Sequence, residues 1–225
     1  MGGEVHIFPM TTIDEIILKT PDRLMNGDAI REVFSRCIPQ VVKVGSLLSK
    51  DVDYLLACLR LVTYGPEMEI TYIHNCDEAK ENSYMVQLRP LLQKAKPIDP
   101  TTLGTSFNHT LPNGQVVSFR PPLFASVLQL SQALDFATND ITPEEYGKLV
   151  VRTLANMIEQ VDDINDAEMI FEWLVALSSG WVRDLSDAVN RVSDWGVNFK
   201  HELTCKDCGK TVNVEISTNP LTFFM

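Results

Sequence analysis

The stretch His201-Glu-Leu-Thr-Cys205-Lys-Asp-Cys208-Gly209 constrains this chain more than any other. Alternating apolar residues flank it, Val197, Phe199, His201 and Leu203 before it and Val212, Val214 and Ile216 after it, so it reads as the turn of a β-hairpin. A Cys-x-x-Cys-Gly turn of this kind is the shape of a zinc knuckle: the tight turn aims two thiolates at one ion, and the glycine accepts the positive φ that the backbone then needs. Two thiolates are half of a tetrahedral site. Far upstream, His74-Asn-Cys76-Asp-Glu-Ala79 repeats part of the pattern, again between strand-like runs. If the two ribbons meet, Cys76 is a third ligand beside Cys205 and Cys208, and His74 or His201 completes the set. His74 is preferred because residues two apart in a strand share a face, which puts it beside Cys76. The position that a second knuckle cysteine would take is Ala79, so the competing reading is a metal-free turn that keeps its thiols.

Other uses of these residues fit worse. A redox Cys-x-x-Cys opens a helix whose N-terminus stabilises the thiolate, whereas here a strand follows. Gly209-Lys-Thr211 imitates the end of a phosphate-binding loop, but the loop's first glycine would fall on Thr204. The acidic run Asp162, Asp163, Asp166, Glu168 is not a calcium loop, because Glu168 stands where that loop requires glycine; these carboxylates read as partners of a helix N-terminus. Gly-x-Ser-x-Gly, His-Glu-x-x-His and Gly-x-Gly-x-x-Gly are all missing from the sequence, so no reaction is spelled out and a non-enzymatic protein is expected.

Charge narrows the partners. A formal net charge of -11 repels nucleic-acid phosphates and anionic membranes at long range, so neither is an expected partner and a basic protein surface fits better. Five cysteines, an odd number in a chain of 225 residues, do not make a disulfide framework, and they are expected reduced. No run approaches the roughly 18 apolar residues of a membrane span, and Met1-Gly-Gly-Glu-Val-His6 does not resemble a signal peptide, so a soluble cytosolic protein is expected.

Read in order, the chain begins with helices. Thr12-Ile-Asp-Glu15 has capping-box spacing, Thr20-Pro21-Asp22 repeats a start signal, and Ile30, Val33, Phe34, Cys37 and Ile38 form a stripe that Pro39 stops. Val52, Leu55, Leu56, Leu59 and Val62 form a second stripe ended by Gly65-Pro66. Cys37 and Cys58 lie on these stripes and read as buried core thiols. Period two then takes over from Glu67 to Leu88, giving the first ribbon, with its turn at Asn75 to Asn82. Pro97-Ile-Asp-Pro100 reads as a connector, and Pro112-Asn-Gly114 between alternating segments reads as a hairpin turn. Helices are expected from Leu123 to near Phe136, from Thr142 through Val161, and from Trp181 to Trp195. The run Met169, Ile170, Phe171, Trp173, Leu174, Val175, Leu177 is apolar almost all round, so its helix is expected at the centre of the core. The tail ends Phe223-Phe224-Met225, too apolar for a frayed terminus, and is expected to dock against the protein's own body.

The fold class that results is α+β, a mostly helical body with two zinc-ribbon-like β-hairpins and a central Asn-Gly hairpin. It is taken as one domain over 1–225, with sub-parts 1–95 (helices and first ribbon), 96–196 (hairpin and helical bundle) and 197–225 (second ribbon and tail). Several segments in order, Leu18-Lys-Thr-Pro21-Asp-Arg-Leu24-Met-Asn-Gly27-Asp-Ala29, Cys37-Ile-Pro39, Asp51-Val-Asp53 through Arg60 to Thr63-Tyr64-Gly65, Cys205-x-x-Cys208-Gly209 and Asn219-Pro220-Leu-Thr-Phe223-Phe224, resemble the baseplate protein family of contractile-tailed phages of the T-even type; the resemblance spans almost the whole chain, with the segment around Asn113-Gly114 and Pro121 between its ends. The resemblance implies a non-enzymatic hub protein or hub-assembly chaperone. It would bind baseplate hub, tail-tube or tape-measure proteins in the host cytoplasm during assembly or in the tail baseplate. Family members resemble one another in carrying a Cys-x-x-Cys in both ribbons, from which Ala79 departs. The alternative class is a zinc-ribbon adaptor acting on host machinery, although Glu202, Asp207 and Glu215 offset the basic Lys200, Lys206 and Lys210 that such a ribbon would use.

Overall fold

Residues 4–74, 80–98, 107–128, 142–192, 194–205 and 208–224 are described in a computed structural model of the chain. They fall into two units, Met1–Val44 with Lys50–Lys96 and Gly196–Met225, and Gly45–Ser49 with Pro97–Trp195. The sub-parts read as 1–95 and 197–225 thus lie together in one unit, and 96–196 corresponds to the other. Cys76, Ala79, Pro100, Leu134 and Phe136 lie outside the described residues.

The first unit starts with three short helices, α1 (Thr12–Leu18), α2 (Pro21–Met25) and α3 (Asp28–Cys37). The start of α1 corrects the capping box expected at Thr12 and Glu15: the cap is one residue earlier. Thr11 is the N-cap, and its N–H and hydroxyl both donate to Asp14 Oδ2, at 2.8 and 2.6 Å. Asp14 wins over Glu15 because its carboxylate is buried against α3, where Arg36 Nε meets the other oxygen at 2.5 Å. Helix α3 buries Ile30, Val33, Phe34 and Cys37. Helix α4 (Ser49–Tyr64) presents Val52, Leu56 and Leu59 inward and ends at Gly65, where φ is +91° and a side chain would be strained. Strands β1 (Glu67–His74) and β2 (Lys80–Gln87) form an antiparallel ribbon with every residue in register, and the short helix α5 (Leu88–Gln93) closes it. Met68, Ile70, Tyr72 and Val86 are its buried row.

In the second unit, β3 (Phe107–Thr110), β4 (Val116–Phe119) and β5 (Ile158–Val161) make a three-stranded antiparallel sheet. The turn between β3 and β4 is closed by Leu111 N–H donating to the Gln115 carbonyl, with Gly114 at φ +88°. Helix α6 (Pro143–Ala155) stops short of Ile158 and Val161, which helical spacing had assigned to the same stripe. Pairing with Phe119 and Val117 of β4 makes strand β5 of them instead, a long-range contact that overrides local periodicity. Helices α7 (Ala167–Ala176) and α8 (Ser179–Val192) follow. The core of this unit joins Leu111, Val117, Phe119, Leu154, Ile158, Val161, Ile170, Leu174 and Leu185. Helix α7 is not the core centre that its composition predicts. Ile170 and Leu174 are buried, yet Met169 and Val175 are 54% and 57% exposed, so one face of the helix is at the surface.

The first unit is completed by β6 (Lys200–Thr204), β7 (Thr211–Glu215) and the four-residue helix α9 (Pro220–Phe223). Asn219 caps α9 by accepting from Leu221 N–H, and Pro220 occupies its first turn. Phe223 and Phe224 are buried, so the tail is docked within its own unit.

Candidate functional site

The cysteine turn has the geometry its spacing implies. Thr204 and Thr211 are the last ladder pair; beyond them Cys205 N–H donates to the Lys210 carbonyl and Gly209 N–H donates to the Cys205 carbonyl, both at 2.9 Å. Gly209 has φ +70°, the left-handed conformation that lets the chain turn back directly after Cys208. Cys205 is buried and Cys208 exposed. Cys205 and Cys208 flank a turn whose Lys206 and Asp207 lie outside the described residues.

The two ribbons of this unit share a base. Helix α4 ends at Tyr64, whose ring meets Phe224 at 6.5 Å; Phe224 meets Phe223 edge-on at 5.4 Å; Phe223 meets Phe199, just before β6, at 6.5 Å and 90°. From Tyr64 the chain passes directly into the first ribbon, and Leu88 N–H donates to Pro66 to close that ribbon's root. Partway along, the Tyr84 and His201 rings lie 5.9 Å apart. This ring pair is a direct contact between β2 and β6. The Tyr84–Ile70 pair is four residues from the His74–Lys80 pair, and the His201–Val214 pair is three from Thr204–Thr211, which is about 13 and 10 Å of strand respectively.

This geometry separates the candidate ligands. Cys205 and Cys208 share a turn. His201 is four residues from Cys205, about 13 Å along an extended strand, and its ring is against Tyr84, beyond reach of an ion held by the turn. His74 is the last residue of β1, and Cys76 lies outside the described residues. Among the described residues no group of three or more His, Cys, Asp or Glu is placed to hold a metal ion.

Beneath the ribbons lies a feature that sequence reasoning missed. Arg60 is only 5% exposed. Its Nη1 donates to the Phe223 carbonyl at 2.7 Å, and its guanidinium lies 5.3 Å from the Tyr64 ring centre and 5.7 Å from that of Phe223. Burial lowers its pKa, partly opposed by Tyr64, and Nε has no hydrogen-bond partner among the described residues. The tail is thus held by a cation with aromatic faces as its neighbours. On the same helix, burial raises the pKa of Asp53, with Thr218 and Lys50 acting against the shift. The available signal was position: Arg60 is one turn after Leu56, beside the apolar stripe of α4.

Several other thiols and carboxylates of the described residues are buried or paired. Burial pushes the Cys37 thiol up to about 11, with Asp14 adding to the shift, and burial raises Cys58 as well. Asp166 is the N-cap of α7, accepting from Glu168 and Met169 N–H, and Asp162, at φ 49°, accepts from Val116 N–H. Glu168 holds Arg152 by two bonds of 2.7 and 3.1 Å. His109 Nε2 and Asp184 Oδ2 are 2.7 Å apart, tying β3 to α8. None of the described helices is long and apolar enough to cross a membrane.

Compared with protein-family models, curated proteins and solved structures, the chain matches none.

Proposed function

We propose that this protein is a non-enzymatic component of phage tail morphogenesis, a baseplate hub protein or hub-assembly chaperone that works by binding other tail proteins. One observation carries the reading. Two of the segments that resemble the baseplate family, Asp51 to Gly65 and Asn219 to Phe224, lie in the first unit and pack on each other: Arg60 and Tyr64 of α4 against Phe223 and Phe224 of the tail. Motif residues that touch across more than 150 positions form one structural kernel, which is what a shared family fold requires. A kernel of helix, ribbons and docked tail is suited to holding partners.

The same reading includes a structural zinc ion held by Cys205 and Cys208 with Cys76 and His74. Its chemistry there would be a cross-link between the ribbon ends, adding the free energy of metal binding to that of folding. The Cys205–Gly209 turn supports it.

The test is affinity capture of the tagged chain from infected cells. Recovery of hub, tail-tube or tape-measure proteins is the expected result. Recovery of host proteins alone, or normal tails from a phage lacking the gene, overturns the proposal.

A further inference from the structure

Charge is distributed unevenly between the two units. The second unit contains 14 acidic and 5 basic residues, a net -9 of the chain's -11, leaving -2 on the first. Arginines among those bases are already committed within the unit. Arg120 pairs with Glu159, and Arg152 pairs with Glu168 while its guanidinium lies 4.2 Å from the Phe171 ring centre. The surface left over is strongly acidic.

On this surface lies the exposed face of α7. Ile170 and Leu174 point into the core, while Glu168, Met169, Glu172, Val175 and Ala176 are exposed. Their spacing of three and four residues puts them on one side of the helix, an apolar strip interrupted and bordered by carboxylates. A helix this apolar would ordinarily bury more of itself, and its outward Met and Val are the kind of adaptable apolar contacts that partner helices cover.

We propose that the outer face of α7 is the seat for a cationic amphipathic helix of a partner protein, one whose apolar stripe covers Met169 and Val175 and whose flanking Lys or Arg residues meet the surrounding carboxylates. Charge complementarity selects this occupant. A second copy of the chain would bring another unit of net -9 against the same face, and nucleic acid or an anionic membrane would be repelled as well. A basic helix gains both apolar cover and attraction, and the attraction speeds its encounter.

The inference rests on the reading of the protein as a binding component, and it is tested with the full chain. The probe is a fluorescent Leu/Lys peptide of about five helical turns, with a Leu/Glu peptide of the same pattern and a Leu/Lys peptide of scrambled pattern as controls. Fluorescence anisotropy should show binding of the first peptide alone. The double variant Met169→Ser/Val175→Ser and the single variant Glu172→Lys should each weaken it about tenfold or more, while Glu215→Lys, an exposed charge change on β7, leaves it within about twofold. These positions are exposed, and circular dichroism checks that each variant remains folded. A photo-crosslinker in the peptide should label α7. Equal weakening by Glu215→Lys, no weakening by the serine variant, or crosslinks elsewhere would reduce the effect to bulk charge and overturn the inference. If Glu172→Lys still captures the full set of tail proteins from infected cells, the α7 seat is refuted while the assembly role stands.

Discussion

Replacing Phe223 by alanine tests whether the tail is an integral part of the first unit. The side chain is completely buried, with edge-on contacts to Phe199 and Phe224 and the Arg60 guanidinium over its ring. Truncating a buried phenylalanine costs about 3–5 kcal/mol, the transfer of its atoms plus the cavity left behind. The aromatic contacts, each worth about 0.5–1.5 kcal/mol beyond area, put this site in the upper part of that range. The Arg60 bond goes to the Phe223 backbone carbonyl, so the variant also leaves the buried cation with its acceptor but without one of its two ring contacts. Because the chain has two units, a single melting curve does not isolate the effect. Native-state hydrogen exchange of α4 amides does, since α4 is the helix against which the tail packs. At about 1.4 kcal/mol per decade, the slowest α4 amides should exchange from about seven hundred-fold to a few thousand-fold faster. Val42→Ser, at a site 86% exposed, should leave them unchanged. Acceleration of α4 by less than about tenfold in the Phe223→Ala protein would show that the tail's burial contributes little to the unit, and the reasoning would fail.

Asp14→Asn should destabilise the first unit at neutral pH. Burial works to raise the Asp14 pKa, but the bonds from Thr11 and the charge of Arg36 outweigh it and the net shift is downward. A carboxylate depressed by folding contributes above its unfolded pKa and loses that contribution as pH falls through its folded value. Wild type and variant should therefore converge in acid-unfolding curves below about pH 4, and a gap that widens there would contradict the assignment. Gly209→Ala places an L side chain at φ +70°, which costs about 1–2 kcal/mol; exchange at β6 and β7 should quicken while the second unit is unaffected. The Cys37 thiol, raised to about 11, is almost wholly protonated at pH 8, so iodoacetamide should label it only after unfolding; rapid labelling of the native protein would contradict its burial. Metal analysis of the purified protein should find zinc that Cys205→Ser and Cys208→Ser each abolish, and metal-free wild type refutes the zinc proposal.

Local chemistry determined a good deal by itself. The two ribbons were legible because period-two apolar residues on either side of a turn have few alternatives, and the start of α2 because proline at a first helical position follows Thr20. Where reading failed, a distant partner had decided. Thr11 and Thr12 offer nearly equal caps, and the Arg36 guanidinium reaching from α3 favours Asp14 over Glu15. Ile158 and Val161 fit a helix as well as a strand, until the free edge of β4 takes them. Arg60 looks like a solvated cation until the last residues of the chain fold over it.

Composition and spacing alone therefore determined an acidic α+β chain with a cysteine turn suited to an ion and a tail too apolar for solvent. Only the tertiary structure decided that this tail caps a buried arginine, that Tyr84 of the first ribbon meets His201 of the second, and that the most apolar helix keeps one face at the surface. The physical reason is range. Turn geometry and strand period act between neighbours in sequence, whereas burial is set by whichever distant segment arrives to exclude water.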